Sequence, residues 1–393
     1  MRPAFLARLL LGGALLAGCS RQNAQPPVNI KDGDVGAALA AIIAQHKIPG
    51  MAAVALRGDR IVGQGVAGVR KMGSAERITL DNQFHLGSDT KAMTATLAGL
   101  LVEEGKLKWR TTLGDVFGDT VKDMAPAWRN VTLDQLLAHQ AGMPPNTDPA
   151  KRRRAFRAAP VAELRREFVA DVLTRAPEYP PGSKFEYSNT GYIVVGAIIE
   201  KVTGRTWDDL ILKRAFKPLG ITTAGFGAPG TAGKIDQPWG HREDGTPIDP
   251  GSPRADNPAL YGPAGTAHMT IDDWSKFVAL HLRSDSANPR RMLTLLNAET
   301  LDHLHAAAGG QGYMGGWGVL TRSWAKGKSA GATGKVLSHA GSNTLWFCVT
   351  WVAPEIDFAV LVACNEGGDA ATKACDEAAE ALIREFAPKP ERN

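Results

Sequence analysis

The sequence predicts a mixed α/β (α+β) fold: an antiparallel sheet built from the N- and C-terminal segments, flanked by helices, with a large, mostly helical region inserted. Two observations indicate this arrangement. Strand-like hairpin patterns occur near both ends of the 393-residue chain, and helical spacing of apolar residues dominates between them. We therefore expect a sheet domain from residues 35–86 and 305–390, and a mostly helical region over residues 87–304.

The N-terminal part of the sheet domain should begin with a helix. Apolar spacing predicts this helix over residues 35–46, ending before the turn-forming Pro49-Gly50. Strands are predicted over 51–56 and 60–69, joined by the tight turn Arg57-Gly58-Asp59. These two strands form the first expected hairpin.

The C-terminal part supplies a second hairpin and a closing helix. Strands are predicted over 345–352 and 358–363, and a helix over 369–386. Earlier helix starts are signalled by capping pairs three residues apart: Thr132 with Gln135, Thr206 with Asp209, and Thr270 with Asp273. Pro/Gly-rich connections separate the helices, notably over residues 225–265.

Three cysteines lie in the C-terminal part of the chain. Cys348 and Cys364 are in apolar, strand-like segments, so we expect both to be buried. An oxidising compartment permits one disulfide among these two and Cys375, and the spacing selects no pair. No pattern is typical of a zinc site, and we expect neither a metal nor another cofactor.

The first 18 residues have the pattern of an export signal. Arg2 and Arg8 supply positive charge, and residues 9–17 form an apolar stretch. This stretch is shorter than the roughly 20 apolar residues that a permanent membrane-spanning helix needs. We therefore expect residues 1–18 to be removed on export.

The end of this signal, Leu16-Ala17-Gly18-Cys19, resembles the bacterial lipobox. The resemblance implies a lipid anchor on Cys19, and Ser20 after it favours the outer membrane, with the protein facing the periplasm. Residues 19–34 are polar and Pro-containing, which is typical of a tether. The alternative is a plain secretory signal in which the cysteine is incidental.

The charge of the chain excludes a nucleic-acid-binding function. The net charge is +5, and removal of residues 1–18, with two arginines and no acid, lowers it to +3. The densest basic stretch is Lys151-Arg152-Arg153-Arg154, followed by Arg157, Arg165 and Arg166. We interpret it as a solvated loop and helix face, and contact with lipid headgroups is the alternative.

The first motif that carries chemistry is Ser88-Asp89-Thr90-Lys91. Apolar residues continue a helical face after it, so Ser88 is predicted at a helix start and Lys91 one turn along the same face. A serine hydroxyl needs a base within hydrogen-bond reach to act as a nucleophile. A lysine serves as that base when burial or nearby positive charge lowers its pKa.

Two further motifs are candidates for the same site. Tyr187-Ser188-Asn189 is predicted on a loop before an apolar helix; the phenol relays protons if a neighbouring ammonium depresses its pKa, and Asn189 offers a donor and an acceptor. His339-Ala340-Gly341 is predicted to lead, with Ser342 behind it, into the strand 345–352. Glycine at such a place lets a substrate backbone approach closely. Each motif alone is more typical of an ordinary loop than of a site.

The order of the three motifs resembles the serine β-lactamase/penicillin-binding-protein superfamily, in particular its class C-like branch. That family runs Ser-x-x-Lys, Tyr-x-Asn and then Lys/His-x-Gly before a strand. The matching positions here are Ser88 and Lys91, Tyr187 and Asn189, and His339 and Gly341. The flanking residues agree over about 35–385, including Leu137-Ala138-His139 and Gly262-Pro263-Ala264-Gly265.

The resemblance implies a role for each position. Ser88 is acylated, Lys91 and Tyr187 share the proton transfers, and Asn189 orients the substrate. His339 lines the pocket, and the backbone N–H groups of Ser88 and Ser342 form an oxyanion hole. Which of Lys91 and Tyr187 is the acylation base stays open.

The implied function is a metal-free serine hydrolase that forms an acyl-enzyme on an ester, a D-amino-acid peptide or a β-lactam. His339 departs from the lysine of many β-lactamases and is charged only at lower pH, which places efficient β-lactam hydrolysis in doubt. One alternative is a non-catalytic envelope lipoprotein that binds peptidoglycan peptides or penicillin. Another is a membrane-surface protein that uses the basic residues 151–157. The sequence leaves the substrate and the oligomeric state open.

Overall fold

The computed structural model of the protein describes residues 33–146, 156, 159–282, 295–307 and 312–389. The predicted signal peptide, the lipidation site at Cys19 and nearly all of the tether lie outside these residues, as do Lys151–Arg154 and Arg157. The signal peptide, the lipid anchor and the location of the protein therefore stay predictions.

A seven-stranded antiparallel sheet forms the centre of the fold. Its strand order is β2-β1-β12-β11-β10-β9-β8, so the N-terminal hairpin lies at one side of the C-terminal strands. The strands are β1 (Gly50–Arg57), β2 (Arg60–Gly68), β8 (Gly312–Met314), β9 (Trp317–Thr321), β10 (Lys335–Ser342), β11 (Phe347–Ala353) and β12 (Phe358–Cys364). The predicted sheet from the two ends of the chain is confirmed.

The alternation of side chains across the sheet explains why strand β1 is buried almost throughout. Met51, Ala53 and Ala55 pack in one apolar cluster with the terminal helices α1 (Gly36–His46) and α11 (Asp369–Phe386). Their neighbours at 52, 54 and 56 join the large core shared with the helical region. Period-2 alternation therefore gives each face of the sheet its own apolar layer.

The helices between the two ends form the other layer. They are α2 (Thr90–Glu103), α3 (Leu113–Phe117), α4 (Leu133–Leu137), α5 (Val161–Leu173), α6 (Asn189–Thr203), α7 (Trp207–Ile211), α8 (Gly262–Gly265), α9 (Ile271–Leu282) and α10 (Ala298–Leu304). The predicted caps form: Thr132 and Gln135 make a reciprocal capping box, and the hydroxyls of Thr206 and Thr270 accept from the N–H groups of Asp209 and Asp273. None of the helices in the described ranges is long and apolar enough to cross a membrane.

Short strands lie outside the central sheet. β3 (Gln83–His85) ends the predicted sheet segment 35–86, and four strands interrupt the predicted helical region: β4 (Gly225–Phe226), β5 (Gly240–His241), β6 (Pro247–Ile248) and β7 (Ala267–Thr270). β7 lies between β3 and β4 in a three-stranded sheet, and His85 pairs with His268. This pairing fixes the Pro/Gly-rich connection 225–265 next to the turn that carries Ser88.

Strands β8, β9 and β10 were not predicted from the sequence. The second half of strand β10 contains serine, alanine and glycine in place of the β-branched residues that favour strands. Its extended form is stabilised by pairing: residues 335–338 pair with β9, and residues 337–342 pair with β11. The prediction that residues 339–342 lead into the strand 345–352 was therefore wrong: they form the end of a strand of their own.

Arg165 also differs from its prediction as a solvated residue. Its side chain is fully buried and donates to Glu200 at 2.5 Å and to Asp208 at 2.7 Å. Two carboxylates offset the cost of burying one guanidinium. The next residue, Arg166, is exposed as expected.

The three cysteines are buried and carry free thiols. The expectation for Cys348 and Cys364 is thus confirmed. Burial raises the pKa of the thiols of Cys348 and Cys375. Both side chains therefore act as small apolar groups within the two core layers.

A buried histidine pair gives a prediction for stability. His281 Nδ1 lies 2.8 Å from His305 Nε2, and burial lowers the pKa of His281 to about 3 and that of His305 well below its usual range. Histidines in the unfolded chain bind protons below about pH 6.5, whereas these two stay neutral in the folded protein. As the pH falls below about 6.5, each of the two should therefore lower the free energy of unfolding by about 1.4 kcal/mol per pH unit. We expect the double variant His281→Asn/His305→Gln, whose amides keep the contact without titrating, to show a shallower loss.

The measurement is urea unfolding of both proteins between pH 7 and pH 4. Parallel pH dependences for the parent and the variant would contradict the assignment of this acid sensitivity to the pair.

Candidate active site

Ser88 lies on a short 3-10 turn, Gly87–Asp89, that runs directly into helix α2. Its side chain is partly exposed, whereas Lys91, one turn further, is fully buried. Gly87 has φ +48°, in the left-handed region that glycine adopts without strain. The turn therefore presents the serine at the surface and directs the lysine beneath it, as the Ser-x-x-Lys spacing predicts.

The amine of Lys91 contacts three oxygen atoms. Lys91 Nζ lies 3.1 Å from Ser88 Oγ, 2.7 Å from Asn189 Oδ1 and 2.6 Å from the backbone oxygen of Ala264. Two of these partners, the amide oxygen of Asn189 and the backbone oxygen of Ala264, can only accept hydrogen bonds. The turn before helix α2, helix α6 and helix α8 thus each contribute one oxygen atom to the surroundings of a single amine.

Burial lowers the pKa of Lys91 well below its ordinary value, and the carboxylate of Asp89 opposes that shift. Asp89 is itself buried, and its Oδ1 atom has no partner among the described residues. A lowered pKa increases the fraction of a lysine side chain that is present as a neutral, basic amine. Lys91 therefore meets the condition that a catalytic lysine base requires.

The second motif also lies beside Ser88 and Lys91. Ser188 caps helix α6, which makes Asn189 its first residue rather than a loop residue, and Asn189 also donates to Asn146 Oδ1 at 2.8 Å. The ring of Tyr187 lies 4.8 Å from Lys91 Nζ. Burial raises the pKa of Tyr187, against a hydrogen bond with Ser88 that lowers it. The condition named for a proton relay, a Tyr187 pKa depressed by a neighbouring ammonium, is therefore not met, and burial favours the neutral phenol.

The third motif approaches from the sheet through strand β10. His339 is buried, with Nε2 3.1 Å from the Tyr313 hydroxyl and Nδ1 3.8 Å from Asp89 Oδ2. A side chain at Gly341 would place its Cβ 2.8 Å from that same Asp89 oxygen, closer than real Cβ contacts occur. Glycine at 341 therefore allows β10 to pack against the turn that carries Ser88.

Ser342 follows at the end of β10, next to the backbone of Gly87. Its hydroxyl donates to the oxygen of Trp346 at 2.7 Å and accepts from the N–H of Thr344 at 2.9 Å. These bonds fix the turn between β10 and β11. The predicted residues of all three motifs thus meet around Ser88.

Sequence reasoning missed several residues that complete the site. Asp89 contacts His339, and Tyr313 holds its imidazole. The ring of His139 lies 4.4 Å from Tyr187 and 4.5 Å from Tyr313, and its Nδ1 accepts from the N–H of Ser188. The signals were present but weak: an acid inside the first motif, and a lone tyrosine before the paired glycines 315 and 316.

The comparisons with known proteins agree with this geometry. A family model described as Beta-lactamase matches residues 35–384. "Penicillin-binding protein 4" from Amycolatopsis lactamdurans is 30% identical over 291 residues, which cover 73% of this chain and 72% of that protein. "Beta-lactamase" from Escherichia coli K12 is 26% identical and covers 78% of this chain and 75% of its own. The match to "Unguisins hydrolase ungD'" from Aspergillus campestris spans 66% of this chain and about half, 49%, of that protein.

Solved structures share the fold. A class C β-lactamase from Rhodobacter sphaeroides superposes with a TM-score of 0.69 at 20% identity, covering 89% of this chain and 98% of that one. A D-alanine carboxypeptidase from Burkholderia cenocepacia gives a TM-score of 0.67 at 20% identity, with 88% and 97% covered. At such identities the likeness shows the fold alone. Together with a family match over residues 35–384, these findings make the protein a class C-like member of the β-lactamase/penicillin-binding protein family of serine hydrolases.

Proposed function

We propose that the protein cleaves acyl substrates through a covalent ester on Ser88, with neutral Lys91 as the base of the acylation step. The observation that carries the proposal is the set of three oxygens around Lys91 Nζ. A neutral amine has two N–H bonds and one lone pair. Asn189 Oδ1 and the Ala264 oxygen can only accept, so they take the two N–H bonds. The lone pair then faces Ser88 Oγ, where it accepts the hydroxyl proton.

Tyr187 fits the complementary task. Its raised pKa keeps the phenol protonated, and it hydrogen-bonds the Ser88 hydroxyl. A neutral phenol next to the reacting oxygen can pass a proton to a leaving group, and the amine of Lys91 lies within 4.8 Å of its ring to replace that proton. We therefore assign the base to Lys91 and the acid to Tyr187.

The reaction then runs in two balanced halves. Ser88 Oγ attacks the substrate carbonyl while its proton passes to Lys91, and the negative charge on the tetrahedral oxygen is held by the N–H groups of Ser88 and Ser342. Collapse expels the alcohol or amine, which takes a proton through Tyr187. In the second half, water attacks the ester carbonyl and passes a proton to Lys91; the bond to Ser88 Oγ breaks, Oγ takes a proton back from the Lys91–Tyr187 pair, and the carboxylic acid is released.

The substrate class follows from His339. The imidazole has the Tyr313 hydroxyl 3.1 Å from Nε2 and Asp89 Oδ2 3.8 Å from Nδ1, and it stands where a lysine would hold a permanent cation. A neutral imidazole attracts a substrate carboxylate less than a permanent cation does. We propose that esters and other acyl groups without a nearby carboxylate are preferred at neutral pH, and that D-amino-acid peptides and β-lactams are poorer substrates. Relatives named "Putative D-alanyl-D-alanine carboxypeptidase" keep such peptides in the test set.

The nucleophile is tested by treating the purified protein with a fluorophosphonate and measuring its intact mass. We expect one adduct on the parent and none on Ser88→Ala, with Ser252→Ala on an exposed loop as the matched control that still reacts. A folded parent that takes no adduct would contradict the proposal and favour the non-catalytic binding protein.

The base is tested by Lys91→Arg, which keeps a long side chain that cannot lose its proton. Loss of a general base typically costs about 10²–10⁴ in rate, so we expect labelling of Ser88 to slow by that amount. In the parent, the labelling rate should fall as the pH drops through the lowered pKa of Lys91, because protonation removes the lone pair. Lys201→Arg on an exposed helix face is the control, and unchanged labelling in Lys91→Arg would refute the assignment.

The substrate preference is tested by His339→Lys beside His339→Gln. A charged hydrogen bond contributes about 1.5–3 kcal/mol, so the lysine should raise kcat/KM for a carboxylate-bearing substrate relative to a neutral ester by roughly tenfold or more. The neutral glutamine should leave the ratio near that of the parent at pH 7.5. Equal ratios in the parent and His339→Lys would show that His339 does not set this preference.

A further inference from the structure

Asp256 links two segments of the site from a position outside the three motifs. It lies in the connection between β6 and helix α8, and 9% of its side chain is exposed. Each carboxylate oxygen takes a different side-chain donor: Oδ2 lies 2.9 Å from His85 Nε2, and Oδ1 lies 2.9 Å from Asn343 Nδ2. One buried acid therefore contacts the segments before Ser88 and after Ser342.

The first arm runs through His85 to the turn that carries Ser88. His85 is fully buried, and its Nδ1 accepts from the backbone N–H of Gly87 at 3.1 Å. Because Nδ1 accepts, the proton of the neutral imidazole is on Nε2, which donates to Asp256. The carboxylate thus fixes the tautomer of His85, and His85 fixes the peptide that precedes Ser88.

The second arm runs through Asn343 to the turn that follows Ser342. Asn343 Oδ1 accepts from the N–H groups of Leu345 at 3.1 Å and Trp346 at 3.2 Å. Thr344, which lies between Asn343 and Leu345, has φ +81°, a left-handed conformation that is an outlier for a β-branched residue. Such strain persists only where the surroundings over-determine it, and the bond from Asn343 to Asp256 is one of those constraints.

The two arms meet again at the site itself. The Cα of Gly87 faces the backbone of Ser342, and the rings of His85 and Trp346 stack with centroids 5.6 Å apart. The backbone oxygen of Trp346 in turn accepts a hydrogen bond from the hydroxyl of Ser342. The segments bearing the N–H groups of Ser88 and Ser342 therefore belong to one closed ring of contacts, which Asp256 joins.

We infer that Asp256 is a positioning residue for the oxyanion hole: through His85 and Asn343 it sets the separation and direction of the N–H groups of Ser88 and Ser342. This inference rests on the proposed acyl transfer at Ser88. A positioning role of this kind acts on the tetrahedral state, which carries the negative charge, more than on the bound substrate. Its loss therefore lowers kcat while leaving KM nearly unchanged.

The charge pattern around Asp256 supports this role. Burial lowers the pKa of the neighbouring His268 to about 4, so at neutral pH that imidazole is uncharged. The carboxylate is thus satisfied by hydrogen bonds from neutral donors rather than by an ion pair with His268. The donors His85 Nε2 and Asn343 Nδ2 each need an oxygen of residue 256. An amide at residue 256 has one oxygen, so one of the two donors loses its acceptor.

The test uses Asp256→Asn, Asn343→Asp and the exchange variant that carries both changes. In Asp256→Asn, an NH2 group faces a donor; in Asn343→Asp, two carboxylates face each other. The exchange variant restores one donor opposite one acceptor between residues 256 and 343, with Oδ1 of residue 256 free to accept from His85; it loses only the bond that Asn343 Nδ2 donates to the Ala255 oxygen at 3.2 Å. Asp249→Asn is the matched control, because Asp249 lies in the same connection and accepts from the N–H groups of Gly233 and Gly251.

For each variant we would measure the rate of fluorophosphonate labelling, kcat and KM on an ester, the affinity for an arylboronic acid, and the melting temperature. Asp256→Asn should lower labelling, kcat and boronate affinity by about 10- to 100-fold, with KM changed by less than about threefold. The exchange variant should recover most of that loss, and Asp249→Asn should match the parent.

The inference would be overturned if the parent is labelled and the Asp256→Asn variant is labelled at the same rate per folded molecule. A loss that follows only the melting temperature and that the exchange does not recover would also overturn it. A parent that does not label at all would instead overturn the proposed function, and the inference with it.

Discussion

The structure depends on the burial of one lysine amine. Lys91 lies beneath the surface serine with no exposure, and desolvation favours its neutral form. Burial alone would leave polar hydrogens without partners, but Asn189 and the Ala264 backbone supply two acceptors. The direction that remains is the one toward Ser88. Helix α2 carries this amine and helices α6 and α8 supply its two acceptors, so the surroundings of Lys91 form only when these three helices pack together.

The sheet contributes the second constraint. Strand β10 must lie against the Ser88 turn, and that contact is possible because Gly341 and Gly87 leave room where side chains would collide. The close approach brings the Ser342 backbone beside that of Ser88. It also places His339 beside Asp89, a buried carboxylate whose Oδ1 atom has no hydrogen-bond partner among the described residues. A buried oxygen of this kind is costly, and its retention beside Ser88 is typical of a site where electrostatics serves function.

Burial favours the uncharged forms of several side chains around Ser88. Lys91 is favoured as an amine, Tyr187 stays a phenol, and burial keeps His139 uncharged. Proton transfers between such groups need little reorganisation of charge in a desolvated site. The carboxylate of Asp256 lies apart from the reacting atoms, where it orients backbone donors through His85 and Asn343. Charge is thus used for positioning at the edge of the site and kept low at its centre.

The amino-acid sequence by itself determined the class of fold, the terminal hairpins, the closing helix, the capped helix starts and the three motifs, because each depends on local periodicity, turn residues or spacing. Tertiary structure decided the rest. Strand β10 is extended because of its neighbours, Arg165 is buried because two acids from other helices reach it, and Tyr187 has a raised pKa because of enclosure. The link from Asp256 to His85 joins residues 171 positions apart, and such a contact exists only after the chain has packed.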